Sequence, residues 1–272
     1  MGHRRKGWYF VSAKMKNQGR DRDFRALMQT VLIALFAALS FVVLFFRVPY
    51  PAPVGQPFLH FGNAVVILAA LLLGGWQGGL AGAIGMGLND LYFGYGFSTL
   101  KTVILKFGIG LFTGLVARIG KKHPDRSPRA GLAAASLASL AIGAFLLFGR
   151  LSQAAAFQAV PSLAYGFLLA LGVLLGAAAL LSLRLPSLTN ERLFTLLGAT
   201  AGIAWNVVGE FLGGTVMGML AGAEWQAAML SSLASLPATF INGVASILVA
   251  VLLYIPLKSA LHRAHLDKVL DR

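Results

Sequence analysis

The sequence has no cysteine, so thiol catalysis, thiolate metal sites and disulfide staples are all excluded. Charge is scarce as well. Charged residues make up 12% of the 272 positions, against about 25% in an ordinary soluble domain. Acids are the rarest, with nine Asp and Glu beside 23 Lys and Arg, and there are five histidines. That leaves little from which to build a nucleophile or metal constellation. No His-Glu-x-x-His, paired-aspartate or Gly-x-Ser-x-Gly motif occurs. The pair Gly120-Lys121 is followed by Lys122 where a phosphate-binding loop needs Ser or Thr, so nucleotide hydrolysis by that route is excluded. The run Gly108-Ile109-Gly110-Leu111-Phe112-Thr113-Gly114 lies inside an apolar segment with no strand before it, so it reads as helix packing and not as a dinucleotide loop. The chain is expected not to be an enzyme, and no catalytic residue, cofactor or metal site is predicted.

What is abundant is apolar side chain. The hydrophobic share is 57% and the mean hydropathy +0.76. Apolar runs of roughly 20 residues recur throughout, which is the length needed to cross a bilayer. In lipid the backbone must satisfy its own hydrogen bonds, so only helices or closed barrels can span. The runs are continuous and not alternating, which selects helices. The fold class is therefore an all-α polytopic membrane protein. The net charge of +14 does not point to nucleic acid, because the basic residues sit at the ends of apolar runs and form no face or stripe. The first apolar run is too long for the core of a signal peptide and is expected to stay as a span.

Eight spans are predicted, at 26–46, 58–75, 77–96, 98–118, 130–149, 163–183, 192–221 and 228–256. Trp76 and Gln77 read as a tight link between the second and third. The proline-rich segment Pro49–Pro57 cannot be helix and reads as a stiff loop after the first span. With both termini cytoplasmic, 19 of the 23 Lys and Arg fall on one side: 8 in the N-terminal arm, 5 in the 118–129 segment, Arg184 and Arg192, and 4 from Lys258 onward. Arg47, Lys101, Lys106 and Arg150 remain for the other side, a strong positive-inside asymmetry that requires an even number of spans. The C-terminal tail reads either as a short amphipathic surface helix or as a frayed helical extension.

The informative residues are those that hydrocarbon should reject. An ionised side chain at mid-span costs on the order of 3 kcal/mol even on the lenient insertion scale. Asp90, Lys101, Lys106 and Glu210 all lie in or near spans, so they are expected to face one another or a wet cavity. Helical spacing supports this. Ser98, Thr102, Lys106, Gly110 and Gly114 form one stripe, and Gly202, Asn206, Glu210, Gly214 and Gly218 another. Gly78, Gly82, Met86 and Asp90 align, and Ser235, Thr239, Asn242, Gly243 and Ser246 cluster. Small residues let helices approach closely, so these stripes are expected to point into the bundle. The ionisable groups, with His60, converge on the outer half, where Phe58, Tyr92, Tyr95, Phe97 and Trp205 add aromatic surface. Such a pocket suits a small polar or heteroaromatic solute. For any single residue the alternative is a structural ion pair, Asp90 with Lys106, that only fixes packing.

Three stretches carry a family resemblance: Phe61–Gly79, Gly85–Asp90 and Thr99–Gly108. With Leu236–Val244 near the end, the chain resembles the substrate-binding S components of energy-coupling factor (ECF) vitamin transporters, in the riboflavin-type branch. The resemblance covers about 26–119 and 192–257. It implies a six-helix core that binds a vitamin or related micronutrient from outside, in a prokaryotic plasma membrane. It also implies a transmembrane coupling protein and two ATPase subunits as partners, with toppling of the S component carrying the solute inward and the first loop acting as a lid. Ala34 and Ala38 match the family's Ala-x-x-x-Ala contact with the coupling subunit. The candidate substrate-binding residues are His60, Asn63, Asp90, Tyr92, Lys101, Lys106, Trp205, Asn206, Glu210 and Asn242. The chain then divides into a basic cytoplasmic arm (1–25), four core spans (26–119), an inserted linker with two extra apolar helices (120–191), two further core spans (192–257) and a cytoplasmic tail (258–272). A different class of reading is an ion-coupled secondary carrier with Asp90 or Glu210 as its proton site. A membrane enzyme acting on lipid is the third.

Overall fold

The computed structural model describes residues 3–49, 58–153 and 162–264, and these are helical almost throughout. Helix α1 spans His3–Val42, so the basic arm is helical and continuous with the first span. A single 3-10 turn, Val43–Phe45, follows it. Strand β1 (Val48–Pro49) then pairs antiparallel with β2 (Phe58–Leu59), in the register Val48 with Leu59 and Pro49 with Phe58. The proline loop itself, residues 50–57, lies outside the described residues. Seven more helices follow: α2 (Gly62–Leu73), α3 (Gly75–Tyr92), α4 (Ser98–Lys122), α5 (Arg129–Leu151), α6 (Ser162–Leu181), α7 (Asn190–Leu220) and α8 (Trp225–Arg263).

Six segments among the described residues are long and apolar enough to cross a membrane: Asp23–Phe45, α4, α5, Ala164–Leu181 of α6, α7 and α8. The eight expected spans thus correspond to eight helices, with local corrections. The second helix starts at Gly62 and not at 58, because Phe58 and Leu59 are extended against β1. Its 12 residues cover about 18 Å, short of the ~30 Å hydrocarbon core by themselves. Trp76 and Gln77 are not the link to the third span. They lie in the first turn of α3, and the reversal is made by Gly74, whose φ of 106° a side chain would resist. The third span ends at Tyr92, and Phe93–Phe97 form a turn through Gly94 and Gly96, both at positive φ. At the other end, α8 runs on through Pro237 and Pro256 to Arg263, so this part of the tail is a helical extension. Residues 265–272 lie outside the described residues.

The small-residue stripes do face neighbouring helices. Helix α3 packs against α1, α2 and α4. In turn α4 packs against α7, α7 against α8, and α8 returns to α2. The α3–α4 contact is backbone on backbone: a Cβ on Gly110 would strike Gly79, and one on Gly114 would strike Gly75. On the other side of α4, Gly198 and Gly202 of α7 fit against Thr113 and Ile109. Lipid tails are as apolar as leucine, so helices in a bilayer associate through such close fits and through polar contacts. Helices α5 and α6 pack mainly on each other, with α6 resting on α8 and α5 touching α7.

Gly110→Val should therefore lower thermal stability in detergent by about 1–3 kcal/mol, the usual penalty for overpacking. Gly166→Ala, where an added Cβ meets nothing within 4 Å, should be neutral or slightly stabilising. Equal melting temperatures for the two variants would contradict the close α3–α4 fit.

Candidate functional site

A turn of helix carries Asn206 and Glu210 to the same face of α7, and that face meets the polar stripe of α4. The Lys101 ammonium donates to Glu210 Oε2 at 2.7 Å. Lys106 donates to Asn206 Oδ1 at 2.9 Å and lies 4.0 Å from Glu210 Oε1. One carboxylate thus serves two ammonium groups from the neighbouring helix. Lys106 is 5% exposed and Asn206 2% exposed, so both groups have left water and depend on each other. From α3, Asp90 accepts a hydrogen bond from the Thr102 hydroxyl at 2.5 Å. It also lies within electrostatic reach of Lys101, Lys106 and Glu210. The pairing of Asp90 with Lys106 considered from the sequence is not the arrangement found, because Thr102 holds Asp90 and Asn206 holds Lys106.

The strand entering α2 closes a second side. Asn242 of α8 accepts from the His60 backbone N–H at 2.9 Å and donates to the carbonyls of Phe58 at 3.0 Å and Ala238 at 3.2 Å. His60 Nδ1 accepts from the Gly62 N–H at 3.2 Å, which leaves Nε2 to carry the proton of a neutral ring. Lys106 lies within electrostatic reach of that ring. Asn63, 2% exposed, has a buried Oδ1 without a partner among the described residues. Groups from α3, α4, α7, α8 and the strand before α2 therefore meet in one region, on the side that the charge count assigns to the exterior.

Two of the expected residues lie elsewhere. Tyr92 is exposed and packs edge-on against Phe41, Phe45 and Phe93, at centroid distances of 6.1, 5.6 and 5.2 Å. Trp205 adjoins Asn206 in sequence but is turned about 100° around the helix. It stacks on Phe112 at 4.9 Å and presses its Nε1 against Gly108. That Nε1 is buried without a partner among the described residues.

Two residues absent from the expected set matter. Thr102 was visible in the α4 stripe, but only the structure shows that it holds Asp90. The Arg47 guanidinium lies 4.9 Å from the Phe58 ring centre and 4.2 Å from that of Phe93, joining the strand pair to the α3–α4 turn. Its place among the few cations left on the cation-poor side, with Arg150, Lys101 and Lys106, was the available signal. On α1, Ala34 and Ala38 are exposed, whereas Ala37 and Ser40 are buried where Gly85 of α3 approaches.

A family model described as "ECF-type riboflavin transporter, S component" matches residues 25–171, more than half of the chain and reaching from α1 into α6. An uncharacterized protein in a gap 3′ region of Pyrococcus woesei is 35% identical over 77 residues, which is 28% of this chain. The chain spans 50% of the length of that relative. No solved structure matches.

The shared carboxylate makes the cluster's members interdependent. Glu210→Ala alone strands two ammonium groups and should cost about 1–3 kcal/mol of stability. Combining Lys106→Met with Glu210→Gln should cost less than the sum of the two single changes, read from thermal unfolding in detergent. Strict additivity would show that the groups are not coupled.

Proposed function

The chain belongs to the ECF-type riboflavin transporter S component family, and on that premise we propose that it captures a vitamin or related small polar micronutrient outside a prokaryotic cell for ATP-driven import. It works as a binding subunit and catalyses no reaction. Import requires a transmembrane coupling protein and two ATPase subunits, with the coupling protein docking on the exposed Ala34 and Ala38 face of α1.

The observation that carries this reading is the meeting of Lys101, Lys106, Asn206 and Glu210, with Asp90 beside them, in a buried region between helices. Packing alone does not call for so many costly groups in one place, since apolar residues of similar volume serve a membrane interface at least as well. A solute with hydrogen-bonding groups and a charge can exchange partners with Lys106, Asn206 and Glu210 without leaving any of them bare. The His60 ring and the buried Asn63 Oδ1 supply further hydrogen-bonding groups, and Asn242 holds the strand before α2 in place. Riboflavin, named in the family's description, is the first ligand to test.

Mass spectrometry of the small molecule that co-purifies with the protein should identify a heteroaromatic or carboxylate-bearing nutrient. Asn206→Ala and Glu210→Ala should each weaken its binding by about 1–3 kcal/mol, the penalty for an unpaired buried group, when titrated calorimetrically. Unchanged affinity in both would move the site elsewhere. Ala34→Trp and Ala38→Trp should abolish uptake in cells carrying the coupling protein and ATPases while leaving the dissociation constant unchanged. Uptake that needs no ATPase partner and collapses with a protonophore would replace this reading with an ion-coupled carrier.

A further inference from the structure

Helix α2 begins inside the protein with nothing to cap it. Of its first N–H groups, that of Gly62 is taken by His60 Nδ1, and Val65 opens the helical ladder by donating to the Phe61 carbonyl at 3.1 Å. The two N–H groups between them, on Asn63 and Ala64, have no acceptor among the described residues. The N-cap residue is Phe61, whose side chain has no oxygen to offer them. Asn63 and Ala64 are both buried, so bulk water is kept from these groups. Buried polar groups are almost always paired, and a bare helix N-terminus carries partial positive charge. On the same turn, Asn63 Oδ1 is a third buried group without a partner among the described residues.

The charges beside this turn lean the same way. Lys106 gives its hydrogen bond to the neutral amide of Asn206. Among the described residues its nearest carboxylate oxygen is 4.0 Å away, on Glu210, whose other oxygen belongs to Lys101. His60, which anchors the turn, feels the positive charges of Lys106 and Arg47. Arg47 spends its guanidinium on the faces of Phe58 and Phe93 and has no ion pair among the described residues. Lys101 and Lys106 balance Asp90 and Glu210, so Arg47 leaves the region one positive charge in surplus.

We propose that the solute captured here is a monoanion whose carboxylate sits on the Asn63 and Ala64 N–H groups and faces Lys106. The assignment rests on the solute-capture function proposed above and narrows it to one chemical class. Adjacent N–H groups at a helix N-terminus suit the two oxygens of a carboxylate, and a neighbouring ammonium strengthens the bond. One negative charge matches the surplus, whereas a phosphate monoester brings about 1.5–2 and overshoots it. Asn63 Oδ1 then calls for an N–H or O–H donor on the solute. Riboflavin, which has no acid group, would leave the turn bare.

The test titrates the full chain in detergent with acids and their uncharged counterparts: nicotinate and nicotinamide, pantothenate and pantothenol, biotin and biotinamide. Riboflavin and pyridoxal phosphate serve as uncharged and phosphorylated references. One of the acids should bind, and its counterpart should bind about ten- to a hundredfold more weakly, as expected for losing a charged hydrogen bond. Phe61→Asp places a carboxylate at the N-cap, where it accepts from the same N–H groups. It should weaken the acid about tenfold and spare the counterpart, and Lys106→Met should shrink the preference likewise. Phe61→Leu should keep it. Equal binding of acid and counterpart by wild type, which needs no variant to fold, would overturn the proposal. So would a preference that survives both Phe61→Asp and Lys106→Met, or a co-purified solute without a carboxylate. Riboflavin or pyridoxal phosphate binding in place of every acid, and lost in Asn206→Ala, would overturn the carboxylate and leave capture at this site standing. No binding by any of these probes and no co-purified solute would remove the capture function and this inference together.

Discussion

Hydrocarbon does not tolerate a charge without a partner, and in this chain that constraint converges on one carboxylate. Glu210 is held by Lys101 at 2.7 Å and lies 4.0 Å from Lys106, while Asn206 one turn away takes the Lys106 hydrogen bond. Remove the carboxylate and two ammonium groups face an environment of low dielectric. Remove the lysines and the acid is stranded instead. The position of α4 against α7 is therefore set by chemistry as well as by shape, and Asp90, held by Thr102, draws α3 into the same arrangement.

Such an arrangement requires helices that come very close, and the glycines supply this. Gly75 and Gly79 meet Gly114 and Gly110 across the α3–α4 contact, and Gly198 and Gly202 admit Ile109 and Thr113 on the far side. Helix α4 is thus fitted between two neighbours along its C-terminal half, while its N-terminal half carries Lys106, Thr102 and Lys101 toward them. Close contact below and polar exchange above are successive parts of one helix. The strand pair lies at the polar end, tied to α8 by Asn242 and to the α3–α4 turn by Arg47.

Much of this was readable in the residues. Runs of about 20 apolar residues mark spans because bilayer thickness sets their length. The four-residue stripes mark which faces meet, because in lipid only small or polar residues gain from meeting. Glu210 and Lys106 stood out for the energy needed to bury them. Other features depended on contacts between distant segments. Where α2 begins follows from β2 pairing with β1, a partnership that 58–62 alone does not encode. The Gly74 reversal was hidden because Gly74 and Gly75 look alike in sequence, while only Gly74 has the positive φ. Tyr92 and Trp205 were placed by depth, but depth does not tell which way a ring turns. Tyr92 found an aromatic cluster on α1, and Trp205 found the bare backbone at Gly108. The basic arm gave no hint of structure beyond charge, yet α1 continues through it.

The cluster between α3, α4 and α7 contains two ammonium and two carboxylate groups, Lys101 and Lys106 with Asp90 and Glu210. Counted at their ordinary charges, they sum to zero. A group of charges that sums to zero does no net electrical work when it shifts across the voltage of an energised membrane, whereas each uncompensated charge carried the full way would gain or lose about 2.3 kcal/mol per 100 mV. Shifted together along the bilayer normal, these four groups add nothing to the chain's response to the membrane voltage.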